Sequence, residues 1–528
     1  MTESGTAAPR SLRQVGPPDG EPRSRPFGRG AATWLAAPAT RYMALAVAAG
    51  VAVYLPILGN YFHTEDFDVL HSIANQPFVK WALTPSAGHL LVVRNLIFAG
   101  MYAAARGNPV PYFVSVLLVH AINTALLFAI IHAATHNARL ACVGALAWAV
   151  SPVNEGTLGW YTYCCHALVT LVVLIVLLRM VRRALDVGPV PPREAALWVL
   201  LTLVGALTHG FGLGPALMLP VLAFLLFRSR RLSWTAWLVL LALPVGLPVL
   251  YAFLVRGTAS QLVASPRDIV AMLFHLVAFG ITTLVGNFAF RLADYPSATA
   301  YGIAAVAVAT CMIGFVLGEA SSRRLLLSVG LLAGAVYGMV ALGRASLYGS
   351  IPSIPVYGAT LPRYHYLVTA LMAIAICVAL AQVGRRARIG EQWRGLLLAA
   401  YFVVAAVFYW RSDWSIDHFD DERAAAETAV EGIRSAVERT ALDQTVLILN
   451  EPIPSAGLAP YFGGWADIYT IYFRRPLDRP ILFIDRSALW WDGALGDSPL
   501  TRLLVPPPER RTGDVETPVR LPLMCAAT

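Results

Sequence analysis

Long apolar stretches follow one another along most of the first 410 residues of this chain, separated by short polar segments. Hydrophobic residues make up 57% of the 528 positions and charged residues only 13%. A chain of this composition has more apolar surface than a single water-soluble core can bury. The sequence therefore predicts a polytopic α-helical membrane protein.

The apolar stretches indicate about eleven membrane-spanning helices, since a span needs roughly 17–25 predominantly apolar residues. A further helix, over Asp268–Phe290, is predicted to be re-entrant or interfacial. The predicted spans lie near residues 42–58, 111–131, 139–152, 166–180, 195–209, 212–227, 234–254, 299–318, 325–342, 365–383 and 394–410.

Arginine residues set the predicted orientation, because short loops rich in Lys and Arg stay in the cytoplasm. The basic loops are 179–193, 228–231, 323–324 and 385–388. If they all lie inside, residues 1–40 form a cytoplasmic tail, and the Pro, Gly and Arg content of this tail predicts disorder. The segments on the outer side are then 61–110 (the first outer loop), 151–166, 343–364 and everything after Arg411.

Residues 412–528 differ in character from the spans. An acidic run, Asp420–Glu422, opens a predicted helix, since acids are favoured at a helix N-terminus. Thr445–Asn450 and Pro480–Asp485 are short apolar runs typical of buried strands. We therefore predict a transmembrane domain over 41–411, followed by a small extracytoplasmic α/β domain.

The net charge of +9 comes from arginines in the tail and at loop ends. These arginines form no basic face interleaved with aromatic residues, so the charge does not indicate nucleic-acid binding. The six cysteines fit neither a zinc-site spacing nor a disulfide framework. We expect them to be buried thiols.

Acidic residues are concentrated directly after the first apolar stretch, in Asn60–Asp68. This segment contains Glu65, Asp66 and Asp68, and also His63. A carboxylate inside hydrocarbon is costly, whereas one exposed at the water boundary stays ionised and accepts a proton from a substrate. Glu65 and Asp66 are therefore candidate catalytic bases, and a solvated turn at a helix start is the alternative.

Three further segments resemble motifs of a known family. Tyr112–Phe128 contains the pattern HAxN, residues 151–160 are similar to HPxxxEAVAW, and Leu361–Leu367 is similar to ERYxYLP. In this order after the acidic loop, they resemble the transmembrane O-mannosyltransferases that carry tetratricopeptide repeats, and their bacterial relatives. The resemblance covers residues 40–410 and lacks the repeat array.

The resemblance implies the fold of the GT-C glycosyltransferases in a bacterial inner or plasma membrane. It implies a polyprenyl-phosphate-linked sugar as donor and a protein or glycan as acceptor. The departures from the family pattern leave the donor sugar and the acceptor open. They are Glu65–Asp66 in place of two aspartates, Glu155 one residue early, Pro362 in place of the acid before Arg363, and Thr208–Gly210 where relatives carry SKE.

The chemistry of such a transfer defines which residues the site needs. A lipid phosphate leaves readily if a cation is nearby, while the acceptor hydroxyl must lose its proton to a carboxylate as it attacks. Direct displacement with inversion follows. Arg363 is the candidate phosphate ligand because its planar fork holds two oxygens. Its predicted partners are Tyr364 and Tyr366, and the candidate lining residues on the same side are His63, Asp68, His89, Arg94 and Glu155.

Structural roles compete with several of these assignments. Arg363 and its tyrosines are also typical of an interfacial anchor ahead of a span. His89 and Arg94 lie on the stretch after Pro85, which is predicted to be an amphipathic surface helix of the first outer loop. Contact with lipid headgroups is therefore the alternative to substrate binding for both. His120 and Asn123, one helical turn apart, are predicted to form an interhelical hydrogen-bonding pair.

Two other classes of function stay open. A transporter or flippase of a lipid-linked sugar would also combine many spans with an intramembrane Arg or His, although such carriers usually show paired halves and this sequence shows none. A non-catalytic envelope-assembly protein is the third class. The pattern Asp66-x-Asp68 leaves a divalent metal open, and no other cofactor is predicted.

Overall fold

The computed structural model describes most of the predicted transmembrane domain. The predicted tail lies outside the described residues, except that its last three residues already belong to a helix beginning at Pro38. The described residues are 38–62, 66, 69–70, 72–73, 76–86, 88–185, 188–227, 231–254, 265–285, 295–345, 354–387, 435, 438–439, 446–450, 481–485 and 519–521.

Fifteen α-helices occur among the described residues. They are α1 (Pro38–Tyr54), α2 (Phe78–Leu83), α3 (Val92–Ala105), α4 (Pro109–Thr135), α5 (Ala138–Ala149), α6 (Glu155–Leu158), α7 (Cys164–Leu185), α8 (Pro192–Thr208), α9 (Leu213–Phe227), α10 (Trp234–Leu254), α11 (Pro266–Val285), α12 (Ala298–Leu317), α13 (Ala320–Arg344), α14 (Ile354–Thr360) and α15 (Tyr366–Arg386). Short 3₁₀ turns cover Leu55–Gly59, Pro152–Asn154, Tyr161–Tyr163, Gly210–Gly212 and Pro362–Tyr364.

The start of α4 illustrates how local sequence sets a helix boundary. The Asn108 side chain accepts a hydrogen bond from the Val110 backbone N–H (3.1 Å). Pro109 follows at the first helical position, where its missing N–H costs nothing. An Asn–Pro pair directly before an apolar run thus fixes where this helix begins.

Nine helical segments among the described residues are long and apolar enough to cross a membrane, and the protein is an integral membrane protein. Ten of the eleven predicted spans coincide with described helices. Two of these ten, α5 with 12 residues and α8 with 17, are not among the nine candidate spans. The predicted span at 394–410 lies outside the described residues. The count of eleven therefore stays a prediction.

Hydrogen bonds between helices tie the centre of the bundle together. His120 on α4 donates from Nε2 to the Ala149 carbonyl of α5 (3.0 Å) and accepts from the Tyr366 hydroxyl of α15 at Nδ1 (2.8 Å). Asn123 donates to the Ala167 carbonyl of α7 (2.9 Å). These side chains are fully buried. The predicted packing role of His120 and Asn123 is confirmed, since each joins helices that are distant in sequence.

The helix ends meet at two opposite ends of the bundle. One end, which we call the site face, holds His209, Arg344 and Arg363. The other, which we call the arginine face, holds Arg231, Arg324 and Arg385 from the predicted cytoplasmic loops. Helices α7, α9 and α15 run from the site face to the arginine face, and α13 runs back.

Helix α11 joins two helices whose adjoining ends lie on the same face. Helix α10 ends on the site face, where the Tyr251 hydroxyl donates to the Ala206 carbonyl near the end of α8 (3.1 Å). Helix α12 ends on the arginine face, because Gly318 lies beside Gln382 near the end of α15. It must therefore begin at the site face. The chain between α10 and α12 makes no net crossing, which fits a re-entrant or interfacial α11.

Three short strands are described in the C-terminal part: β1 (Val446–Asn450), β2 (Ile481–Asp485) and β3 (Val519–Leu521). They form a parallel sheet in the order β2-β1-β3. The first two coincide with the predicted strands. Most of the remainder of 412–528, including nearly all of the predicted helix, lies outside the described residues, so the extracytoplasmic domain stays a prediction.

Candidate active site

A cavity of about 460 Å³ opens on the site face, a size typical of small-molecule sites. One wall is the loop that precedes α3, including Ser86 and His89. Another is the turn before α7, with Thr162 and Tyr163, and His209 closes the cavity between α8 and α9. The cavity thus joins segments that are far apart in sequence.

Three guanidinium groups, from Arg94, Arg344 and Arg363, line this cavity. None of its described lining residues is acidic. Arginine stays charged at any physiological pH, so the described wall is strongly positive. This composition favours an anion, and the planar arginine fork is suited to a phosphate.

Arg363 is held in place by aromatic rings and by its own backbone. Its guanidinium carbon lies 4.8 Å from the Tyr163 ring centroid, 5.3 Å from that of Tyr364 and 5.7 Å from that of Trp160. Its carbonyl accepts a hydrogen bond from His166 Nδ1 (2.7 Å). Contacts of a cation with ring faces are favourable, so the fork is positioned by side chains on the 160–166 segment.

Three histidines stand side by side at the cavity. The His209 ring centroid lies 4.4 Å from that of His89 and 4.6 Å from that of His166. His89 Nε2 accepts a hydrogen bond from Arg344 (3.4 Å). The His89 ring packs so closely on Gly210 that a Cβ there would overlap it. A glycine after His209 is therefore required for this arrangement.

Two of the three histidines, His89 and His209, lie outside the spans and are neutral near pH 7. Burial, followed by the charges of Arg344 and Arg94, lowers the pKa of His89 from 6.5 to about 4. Burial and the neighbouring histidines and arginines hold the pKa of His209 well below its usual range. The positive charge of the cavity therefore comes from its arginines.

Cys165, His166 and His209 are close enough to be considered as metal ligands, with one donor atom of each within 4.8 Å of the others. However, His209 Nδ1 accepts the Phe211 N–H (3.1 Å), so the proton of the neutral ring is on Nε2. The Cys165 thiol donates to the Thr162 carbonyl (3.3 Å). Because the adjacent arginines also repel a cation, these residues fit a divalent metal poorly.

Asp66 lies directly behind the cavity wall and is fully buried. Its Oδ1 accepts hydrogen bonds from the Thr162 backbone N–H (2.6 Å) and hydroxyl (2.5 Å). The expectation that Asp66 is an exposed acid is therefore wrong, because the 161–163 turn encloses it. The described contacts of Asp66 suit a role in positioning Thr162. The other candidates of this segment lie outside the described residues: His63, Glu65 and Asp68.

The two predicted tyrosine partners of Arg363 differ in position. Tyr364 packs beside the guanidinium, and its buried hydroxyl has no hydrogen-bond partner among the described residues. Tyr366 lies in the bundle core, where its hydroxyl is bonded to His120. The predicted phosphate contact of Tyr366 is therefore not supported. Although Tyr366 is only two positions after Tyr364, it is the first residue of α15 and its side chain points into the bundle core.

His89 and Arg94 both line the cavity, and Arg94 is buried while His89 is half-buried. This position favours a role in the cavity over contact with lipid headgroups. Glu155 does not reach the cavity wall. It is partly buried at the start of α6, and burial raises the pKa of its carboxyl to about 8. The next residue, Gly156, packs against the Arg363 backbone, so Glu155 adjoins the site from behind.

Four residues line the cavity without having been predicted as site residues: His209, Arg344, Thr162 and Tyr163. Arg344 carries a usable signal, because an arginine in a short segment predicted to lie outside departs from the usual bias of Lys and Arg toward cytoplasmic loops. Thr208–Gly210 also interrupts two apolar stretches with polar residues. Thr162 and Tyr163 have no such signal, because only the fold brings them to Asp66 and Arg363.

No family model and no curated protein matches this chain. Among solved structures, the chain is similar to the crystal structure of ArnT from Cupriavidus metallidurans bound to undecaprenyl phosphate. The identity is 13%, the match covers 90% of this chain and 95% of that chain, and the TM-score is 0.49. Roles of individual residues do not transfer at this identity.

Proposed function

We propose that this protein is a GT-C-type glycosyltransferase that moves a sugar from a polyprenyl-phosphate donor to an acceptor hydroxyl at the site face. The observation that carries the proposal is the cavity lined by three arginines, with no acid among its described lining residues. It lies at the ends of membrane-spanning helices, where the headgroup of a lipid anchored in the bilayer would reside. The motifs at 112–128, 151–160 and 361–367 favour the same activity.

The reaction is a single displacement in which charge develops on the phosphate. The acceptor oxygen loses its proton to a carboxylate and bonds to the anomeric carbon, while the bond from that carbon to the phosphate oxygen breaks. The donor phosphodiester carries about one negative charge, and the departing polyprenyl phosphate carries about two. Arg344 and Arg363 therefore attract the leaving group more strongly than the donor, which lowers the barrier.

Glu65 is the base in this proposal, and Asp66 is a positioning residue. Both hydrogen bonds to Asp66 Oδ1 come from Thr162, which itself lines the cavity beside Tyr163. An anchored carboxylate is poorly placed to collect a proton from a substrate, so the neighbouring acid takes that role. Removing a general base costs on the order of 10²–10⁴ in rate.

The test uses the full chain in vesicles containing polyprenyl-phosphate-linked sugars and candidate acceptors. Glu65→Gln should lower kcat by about 10²–10⁴ with little change in donor affinity. Asp66→Asn should lower both activity and the yield of folded protein, because it is buried. Asp268→Asn, an acid whose side chain bonds Ser265 away from the cavity, is the matched control and should behave like wild type.

Near wild-type turnover of Glu65→Gln would contradict the role of Glu65 as the base. Absence of a new glycosidic bond in the product would contradict the proposed glycosyltransferase activity. Appearance of the lipid-linked sugar in the opposite leaflet, unmodified, would indicate the transporter class instead.

Topology is tested separately with a membrane-impermeant thiol reagent. Ser86→Cys should be labelled from outside and Ser321→Cys should not, since these residues line cavities on opposite faces.

A further inference from the structure

A second cavity, of about 300 Å³, lies on the arginine face. Its walls come from the ends of α4, α7, α9 and α15 and from the start of α13. Part of the lining is apolar, including Leu185, Leu226 and Phe227, and Leu185 is exposed on the outside of the bundle. Arg231, Arg324 and Arg385 line the same space. The cavity therefore combines cations with an apolar surface that continues toward the lipid.

Arg231 is a fixed cation at the edge of this cavity. Its guanidinium donates to the carbonyls of Arg183 (3.1 Å), Ala184 (3.3 Å) and Gly188 (2.8 Å). These carbonyls lie at and just after the end of α7, where cations are favoured by the helix dipole. The hydrogen bonds hold the guanidinium in position without any ligand, so the cavity has a pre-organised positive edge.

Arg324 and Arg385 provide the other two cations. Within the described part of the chain neither forms an ion pair, and the one acid on the wall, Glu319, lies within 4.0 Å of neither guanidinium. Among the described lining residues, three arginines and one glutamate give a net positive charge. The buried Ser322 accepts a hydrogen bond from Gln382 (2.6 Å) and closes the floor between α13 and α15.

We propose that this cavity binds the phosphate headgroup of an anionic membrane lipid of the phosphatidylglycerol class, with an acyl chain lying against Leu185. Basic pockets between membrane helices on a basic face suit such headgroups, and arginine forks hold phosphate oxygens in pairs. The chain's own tail does not fit, because its first 40 residues carry more arginines than acids. The site is independent of the proposed catalytic cavity on the opposite face.

Thermal unfolding of the full chain in detergent, with phosphatidylglycerol or phosphatidylcholine added, tests this proposal. Phosphatidylglycerol should raise the unfolding temperature of wild type by about 2 °C or more relative to phosphatidylcholine. The double variant Arg324→Gln/Arg385→Gln should lose this difference. The matched control is Arg323→Gln/Arg386→Gln, which removes the same charge from adjacent exposed residues that do not line the cavity.

Equal loss of the shift in both double variants would overturn the proposal, because it would show a response to the overall charge of this face. Retention of the shift in both would overturn it as well. Inorganic phosphate that reproduces the shift would indicate a free-phosphate site and not a lipid site. Ser321→Phe fills the mouth of the cavity without changing charge and should also abolish the shift, and an unchanged shift in this variant would contradict a lipid in the cavity.

Discussion

Two groups of buried histidines use the same side chain in opposite ways. In the bundle core, His120 and His365 each have both ring nitrogens hydrogen-bonded, His365 to the Tyr337 hydroxyl (2.6 Å) and the Ala359 carbonyl (2.8 Å). At the site face, the buried His166 Nε2 has no hydrogen-bond partner among the described residues. The core histidines join helices, whereas His166 at the site leaves one ring nitrogen ready for a ligand.

The difference has an energetic reason. A buried polar atom without a partner costs about 1–3 kcal/mol, so a fold keeps such atoms only where something compensates. A ligand that fills the hydrogen bonds is one such compensation. The comparison therefore predicts that core substitutions reduce stability and that site substitutions reduce activity with little loss of stability.

The largest effect is expected at Arg363, on the site side of the comparison. Arg363→Ala should lower kcat/KM by on the order of 10²–10³, because the leaving phosphate loses a pre-positioned donor. Arg363→Lys should recover only a small part, since Lys lacks the two-pronged geometry. Kinetics on protein of verified fold, with the surface variant Arg106→Ala as control, checks this. Full activity of Arg363→Lys would favour the interfacial-anchor role.

The second effect concerns His120, on the core side. His120→Ala should lower the free energy of unfolding by about 2 kcal/mol, because the Ala149 carbonyl and the Tyr366 hydroxyl lose their partner. His209→Ala should leave the unfolding temperature nearly unchanged and reduce donor turnover. Thermal unfolding and activity measured on both variants check this. If both variants showed the same change in unfolding temperature and in activity, the distinction between core and site histidines would be contradicted.

A smaller effect is expected for the tyrosines near Arg363. Tyr366→Phe should cost about 1 kcal/mol of stability, since His120 Nδ1 loses its donor, and should leave donor affinity unchanged. Tyr364→Phe removes a hydroxyl without a described partner and should leave stability unchanged. Donor titrations with unfolding curves provide the test. Weaker donor binding by Tyr366→Phe would return this residue to the site.

The smallest effect is a pH dependence at His89. Its pKa is about 4 when folded and 6.5 when unfolded, so below pH 6.5 the unfolded chain binds the proton first. Stability is full above pH 6.5 and falls as the pH drops toward 4, by less than about 1 kcal/mol between pH 7 and 6. His89→Gln should lack this contribution in unfolding curves over that range. If the free energy of unfolding changed equally with pH in wild type and variant, the lowered pKa of His89 would be contradicted.

The sequence alone predicted the class of protein, ten helices at nearly their observed positions and the segment that carries Arg363. These features are local, since hydropathy and the caps of a helix depend on residues a few positions apart. The predicted strands Thr445–Asn450 and Pro480–Asp485 coincide with β1 and β2 for the same reason. Two predictions involve residues that the structure does not describe, the base Glu65 and most of the extracytoplasmic domain, so they stay predictions. A divalent metal at Asp66-x-Asp68 stays open, because Asp68 is not described either.

Only the tertiary structure decided which of the candidate residues share one cavity. Asp66 is a buried anchor of Thr162, Tyr366 faces the core, and Arg344 and His209 join Arg363 on the site face. Each of these facts depends on residues separated by about 20 to 250 positions along the chain. Local patterns report whether a side chain lies near the water boundary. Helix packing decides whether it is enclosed, and therefore whether it positions a wall or meets a ligand.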